Sequence, residues 1–391
     1  MGQKTQKIWV EISKSALTSN IKAFRRHVGP GTAIMAVVKS NAYGHGLVET
    51  ARIADKAGAA WFGVDNVDEA LSLRRAGISK PILVLGYTLE ERLADCVQNR
   101  ISFVVYNLST ARALRRLNIP PLGKRPQTNS KAAYVHLKIE TGTSRQGLAG
   151  QDLRRLVREL KRTPGVVIEG ASTHYANIED TTDSSFAKLQ LERYRENLEL
   201  LKSEGIDPPW KHTACSAAAI LFPETYFNLA RLGIAMYGLW PSKETLAVAK
   251  RAKRVLRLKP VLGWKTVIAQ IKRLPKGTPI SYGLTESTTR ASKVAILPVG
   301  YWDGYDRRGM SNVGQVLVRG RRCKVMGRVC MNMCVVDVTD VPGVQVQDEV
   351  VLLGRQRRET ITAEELASKM DTINYEVVTR INPAIERHLV R

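Results

Sequence analysis

The chain has 391 residues and a formal charge of +24, from 60 basic and 36 acidic side chains. That length is too great for one average domain and suits two, and a hydrophobic content of 44% supplies material for a large core. No stretch approaches the ~18 consecutive apolar residues of a membrane span, and the opening MGQKTQKIWVEIS lacks the apolar segment of a signal peptide. The expectation is a soluble, cytoplasmic protein with no membrane partner.

Taken in chain order, short apolar runs alternate with amphipathic stretches from residue 32 to about 238. The predicted strands are 32–39, 61–64, 81–86, 101–106, 132–140, 166–173, 210–215 and 228–233. Helices are predicted between them, for example over 67–77 and over 184–205, where Phe186, Leu189, Tyr194, Leu198 and Leu201 fall near helical spacing. Eight strand–helix units predict a (β/α)8 TIM-like barrel. An open doubly wound sheet is the competitor, but no G-x-G-x-x-G follows the first strand. Residues 119–131, rich in Pro and Gly, read as a surface loop.

Beyond "YGLWPSKETLAVAKR" the pattern changes to consecutive β-rich runs separated by turns such as LPKGTP and VPGV. A helix over 362–370 opens with a threonine cap and a glutamate three residues on. The expected organisation is a barrel domain, 1–245, whose first ~10 residues could pack on the other domain, and a C-terminal mainly β domain, 246–391.

Basic clusters at 251–259, 319–324 and 355–358 raise the question of a nucleic-acid surface. Arginines are scattered over many predicted helices, and no recognition motif accompanies them. Non-specific adhesion to polyanions at low salt is expected, and no specific nucleic-acid partner. Cys96, Cys215, Cys323, Cys330 and Cys334 form no C-x-x-C pair, so free thiols and no metal are expected. Cys330 and Cys334 would share one face of a strand.

In a βα barrel the C-terminal strand ends carry the chemistry. Lys39 ends the first predicted strand in "MAVVKSNAYGHG". Lys138 and Glu140 end another, followed by Arg145. His174 follows the next, Ser216 stands where a helix begins, and Arg231 precedes Gly233 and Ile234. A lysine amine can become a nucleophile or base when partly desolvated. A hydroxyl beside glycine amides suits a phosphate monoester. Together they suggest pyridoxal phosphate. Taken singly, Lys39 reads as a snorkelling lysine, His174 as a satisfied histidine, Tyr282 as a packing tyrosine and Arg145 as a surface arginine; their joint order carries the reading.

At these residues the chain resembles the alanine racemase family. The likeness runs nearly end to end, through "AVVKSNAYGHG", "HLKIETGTSRQG", "THYA", "RLGIAMYGL", "ISYGLTE", "GYWDGYDRR", "GRVCMNM" and "TINYEV". The resemblance implies a two-base α-proton exchange between L- and D-alanine that supplies peptidoglycan. Lys39 would hold the pyridoxal 5'-phosphate and act on the D-face, and Tyr282 would be the second base, on the L-face. Tyr43, Ser216, Gly233, Ile234 and Tyr375 would bind the phosphate, with Arg231 at the ring nitrogen and His174 beside it. Arg145 and the Met331 amide would bind the substrate carboxylate, and Lys138 would be the family's carbamylated lysine, with an ion pair to Glu140 as its plain alternative. Tyr301, Arg307, Arg328, Ile373 and Glu179 would lie at or near the entrance. The resemblance further implies a homodimer with shared active sites, in which Tyr282 and Met331 come from the partner. Asn332 and Glu179 depart from the aspartates common in the family. A racemase of broader or different specificity, for serine or lysine, is the alternative on the same fold. A barrel-only pyridoxal-phosphate carrier is disfavoured by the β domain.

Overall fold

The computed structural model describes residues 6–121, 131–180 and 182–391. Most of the predicted loop at 119–131 lies outside them. The chain divides into two compact units: Leu17–Ala42 with Leu47–Lys259, and Met1–Ala16 with Tyr43–Gly46 and Pro260–Arg391.

Strand β1 (Ile8–Ser13) belongs to the second unit. The next eight strands build the first: β2 (Ala33–Val37), β3 (Trp61–Val64), β4 (Ile82–Val84), β5 (Ser102–Val105), β6 (Ala133–Lys138), β7 (Val166–Ser172), β8 (Trp210–His212) and β9 (Leu229–Leu232). They pair in parallel in the order β8-β7-β6-β5-β4-β3-β2-β9. At the seam, Arg231 N–H donates to Ala214 O at 3.0 Å and Asn228 N–H to Lys211 O at 3.4 Å. The result is a nearly closed TIM-like barrel. Strands β3, β4, β5 and β9 are buried throughout, which explains the apolar runs of β3 and β4, while β5 and β9 carry Ser102 and Arg231 into the interior.

Helices cover the barrel because their apolar stripes face it. Leu153, Leu156, Val157 and Leu160 are the buried face of Gly150–Lys161, each such side chain contributing roughly 1.5–3 kcal/mol by burial. Asn66 and Asn107 cap Val67–Arg75 and Leu108–Arg116, accepting from Glu69 N–H at 3.0 Å and Thr110 N–H at 2.8 Å. In Ser185–Ser203 the buried stripe includes Gln190, Leu191, Tyr194, Asn197, Leu198 and Leu201. Phe186 and Leu189, expected on that stripe, are instead exposed. Gln190 and Asn197 take the buried positions because both find hydrogen-bond partners there.

The second unit holds β10 (Leu262–Val267), β11 (Gln270–Leu274), β12 (Pro279–Ile280), β13 (Glu286–Ser287), β14 (Ser292–Leu297), β15 (Gln315–Val318), β16 (Arg321–Met326), β17 (Cys334–Asp337), β18 (Glu349–Gln356), β19 (Glu359–Ile361) and β20 (Arg387–Val390). The main sheet runs β11-β14-β17-β16-β15-β18-β10-β1-β20, with β19 on β18 and β12-β13 as a separate pair. Alternation in β10, whose Leu262, Trp264 and Thr266 are buried, is the period-2 pattern of a sheet with one covered face. Thr362 caps Ala363–Met370, accepting from Glu365 N–H at 3.1 Å.

All five cysteines are free thiols. Cys330 and Cys334 do not share a strand face: β17 begins only at Cys334, and Cys330 N–H donates to Met333 O at 2.9 Å to close a turn between them. No helix among the described residues is long and apolar enough to cross a membrane.

Candidate active site

The first barrel strand ends earlier than its apolar run. β2 stops at Val37, and Lys39 opens a turn in which Ser40, Asn41, Ala42 and Tyr43 all have φ between 53° and 56°. Four successive left-handed residues, none a glycine, cost roughly 1–2 kcal/mol each. Strain of this kind gathers at functional sites. Within the barrel unit the turn is braced from three sides. Asn41 Oδ1 accepts from Leu47 N–H at 2.9 Å, Asn41 N–H donates to Glu69 at 3.2 Å, and Ala42 N–H donates to Val38 O at 2.8 Å. Glu69 also accepts from Asp65 N–H at 2.9 Å, and Asp65 lies 3.4 Å from the Lys39 amine. Both members of that pair are well exposed, at 39% and 50%, so it orients Lys39 more than it stabilises the fold.

Arg231 projects into the barrel from β9 and is 6% exposed. Its Nη1 donates to His212 O at 2.7 Å and His212 Nδ1 at 2.9 Å. Its Nη2 donates to Thr173 O at 2.8 Å and Thr213 O at 2.9 Å, and lies 3.4 Å from His174 Nδ1. Among the described residues the Nε–H is the guanidinium donor with no hydrogen-bond partner. Ser216, buried at the start of the helix Ser216–Leu221, accepts from Gly233 N–H at 3.0 Å and Ala235 N–H at 3.4 Å. This folds the Gly233–Ile234 backbone around the hydroxyl.

The same cations act on one another. Burial, then Arg231 and Arg145, push the Lys138 amine well below the usual lysine range, with Glu140 pulling weakly the other way. Burial, then Arg231, Lys138, Arg145 and Lys39, push His174 well below the usual histidine value. Lys39, Lys138, Arg145, His174 and Arg231 therefore form one electrostatic cluster. Glu140 does not pair with Lys138. Its carboxylate accepts backbone N–H groups, from Thr143 at 2.7 Å and Arg145 at 3.3 Å, and from Gly142. Burial would raise this carboxyl, but those amides hold it below the usual range. The loop carrying Arg145 is thus tied to the end of β6. Glu179 is also in this unit; its backbone carbonyl accepts from Ser242 Oγ at 2.9 Å.

A second cluster lies in the β unit. Tyr282 stands on a kinked turn with Ser281, Gly283 and Leu284 at φ of 62°, 74° and 49°. Ser281 Oγ donates to Arg328 O at 2.6 Å, and a Cβ on Gly283 would lie 2.9 Å from the Arg328 guanidinium. Tyr301 N–H donates to Cys330 O and Trp302 N–H to Met331 O, both at 3.0 Å. Arg307 donates to Val329 O and lies 6.0 Å from the Tyr301 ring centroid. Tyr282, Tyr301, Arg307, Arg328 and Met331 are therefore neighbours. Tyr43 sits 6.2 Å from Tyr375, centroid to centroid, and Ile373 caps the helix of Tyr375, Asn374–Thr379. Tyr282, Met331 and Ile373 are 68%, 55% and 60% exposed.

Family models cover both units: the alanine racemase N-terminal domain matches residues 12–241, and the alanine racemase C-terminal domain matches 261–389. The chain belongs to the alanine racemase family. It is 43% identical to an alanine racemase of Symbiobacterium thermophilum over 379 residues, covering 97% of this chain and 96% of that protein. An alanine racemase of Methanococcus maripaludis is 40% identical over 381 residues, with 97% and 98% covered. Among solved structures, the alanine racemase of Bacillus anthracis with bound L-Ala-P matches at a TM-score of 0.90 and 35% identity, over 99% of this chain and 95% of that one. The alanine racemase of a D-cycloserine-producing Streptomyces lavendulae matches at 0.88 and 33%, over 100% and 98%.

Family identity implies pyridoxal phosphate, and the barrel's residues fit it. A reachable amine, a hydroxyl with folded-back amides and a spare Nε–H match the aldehyde, phosphate and ring nitrogen of a flat heteroaromatic phosphate. Sequence reasoning missed His212, Asp65 and Glu69. The signal for His212 was its strand position inside "WKHTAC". Nothing local marked Asp65 or Glu69, whose roles arise from the pairing of β2 with β3.

Proposed function

We propose that this chain is a pyridoxal-phosphate-dependent isomerase that interconverts L- and D-alanine, working as a homodimer and supplying D-alanine for peptidoglycan. The observation that carries the reading is Arg231: the barrel consumes its Nη donors and leaves Nε–H unengaged, in the same cationic cluster as Lys39.

When bound, pyridoxal phosphate delocalises the charge left on the substrate's α-carbon as its proton departs. Lys39 would hold the cofactor through its amine and, once freed, would exchange the α-proton on the D-face. Tyr282 from the partner would exchange it on the L-face, so that inversion needs no base to move. Arg231 would offer the ring nitrogen a hydrogen bond but never a proton, which would limit side reactions. Ser216, Gly233 and Ile234, with Tyr43 and Tyr375, would hold the phosphate. Arg145 and the Met331 N–H would hold the substrate carboxylate.

Lys138 would take up carbon dioxide, its amine forming an N–C bond and releasing one proton. The resulting carbamate would orient Arg145. The support is an amine pushed towards its neutral, nucleophilic form by burial and by two guanidinium groups. Support for the dimer is the exposure of Tyr282, Tyr301, Trp302, Met331 and Met333 together on the β unit, an apolar, aromatic surface of the kind that interfaces cover.

Purified protein incubated with L-alanine in deuterated water tests the reading. It should yield D-alanine carrying deuterium at the α-carbon. Retention of the α-proton with L-alanine unchanged would overturn it, and equal turnover of serine or lysine would redirect the substrate.

A further inference from the structure

The guanidinium of Arg231 is a charge buried in the barrel, yet none of its five hydrogen bonds reaches a carboxylate. An uncompensated buried charge is costly. A chain of side chains leads away from it. His212 Nδ1 is 2.9 Å from Arg231 Nη1, His212 Nε2 is 2.9 Å from His136 Nδ1, and His136 Nε2 is 3.4 Å from Glu169 Oε1. Ser102 Oγ donates to the same Glu169 oxygen.

The direction of every link follows from one fact: arginine only donates. His212 Nδ1 must accept, so the His212 proton sits on Nε2. That proton is donated to His136 Nδ1, so the His136 proton sits on Nε2, facing Glu169. His136 Nε2 is buried and makes no aligned hydrogen bond, so its link to the carboxylate is a charge–dipole contact. The backbone is shaped around this column. The β6–β7 ladder pairs Val135 with Ile168 and His136 with Gly170, skipping Glu169, and a Cβ on Gly170 would sit 1.9 Å from His136 Nδ1. Trp61 closes against the His136 ring edge-on at 5.3 Å.

We infer that Glu169 is the distant counter-charge of Arg231, joined to it by two imidazoles locked head to tail, and that this column holds the guanidinium in the orientation that leaves Nε free. Because arginine cannot release a proton, the column is not a proton path; His136 and Glu169 are positioning residues. The inference rests on the reading of Arg231 as the ring-nitrogen partner.

The test uses full-length protein labelled with 15N-histidine, and the holoenzyme. NMR should show His212 as the Nε2–H tautomer in the wild type and in His136→Gln, whose amide oxygen can accept that proton. In His136→Leu the Nε2–H resonance should shift. Glu169→Gln keeps shape and an acceptor but deletes the charge. It should shift the bound cofactor's absorption band and lower kcat by about tenfold while leaving KM within about twofold. An Nδ1–H tautomer at His212 would overturn the inference. So would a fall in Tm alone, with kcat and the absorption band unchanged in both Glu169→Gln and His136→Leu. Were the wild type to bind no pyridoxal phosphate, the functional reading would fail while the tautomer measurement still decided the column.

Discussion

At the barrel mouth, Arg231 is 6% exposed and fixed by five hydrogen bonds to strand-end carbonyls and imidazoles. In the β unit, Tyr282 is 68% exposed on a turn with three positive-φ residues. One cluster is organised by burial and charge together with the left-handed turn that follows Lys39, the other by backbone strain and glycine clearances alone, with its rings left uncovered. The difference teaches a division of labour. The barrel cluster gathers buried cations among strand-end carbonyls and imidazoles, while the β cluster presents its side chains to solvent.

The largest expected break in this comparison is Lys39→Ala, which removes the amine itself. Activity should fall on the order of 10⁴-fold or more, measured as D-alanine formation, while melting stays near wild type because the side chain is partly exposed. Tyr282→Phe should lower turnover from L-alanine by about 10²–10⁴-fold, with the cofactor's absorbance retained. Equal residual α-proton exchange from both enantiomers would remove Tyr282 from its one-sided role.

Gly44→Ala probes the strained backbone of the β unit. Gly44 has φ of 82°, and a Cβ there would lie 2.1 Å from Val378 O. Stability should drop by about 2 kcal/mol or more, read as a lower denaturant midpoint. An unchanged midpoint would show that the chain relaxes there.

The smallest effect concerns pH and belongs to the barrel. His174 and His212 are held below the usual histidine value, chiefly by burial. Between that value and the folded one, the unfolded chain binds more protons, so stability falls as pH drops below about 6.5. Lys138, wherever its amine is uncarbamylated, contributes with the same sign over a window reaching up to the usual lysine value. His174→Gln should flatten the acid limb of Tm against pH. An identical slope would assign the effect elsewhere.

Much of this was legible in the sequence. All eight barrel strands form within the predicted segments, most plainly β3 and β4, which are buried on both faces and apolar throughout. The residues Lys39, Lys138, Arg145, His174 and Arg231 were legible through their order along the chain. What the sequence withheld was conformational or long-range. Nothing in "KSNAY" announces four left-handed residues, since the brace from Glu69 comes from another strand–helix unit. Glu169 and His136 are 33 residues apart and meet only because the β6–β7 ladder skips a residue. Phe186 and Leu189 were misplaced because periodicity cannot tell a buried Gln190, with its partners, from a solvated one.

The central claim is that the amine of Lys39 carries the cofactor, and reductive trapping tests it most directly. Holoenzyme treated with borohydride and digested should give a single phosphopyridoxyl-bearing peptide containing Lys39. A label on Lys138 or any other lysine, or no label at all with the cofactor's absorbance present beforehand, would contradict the account.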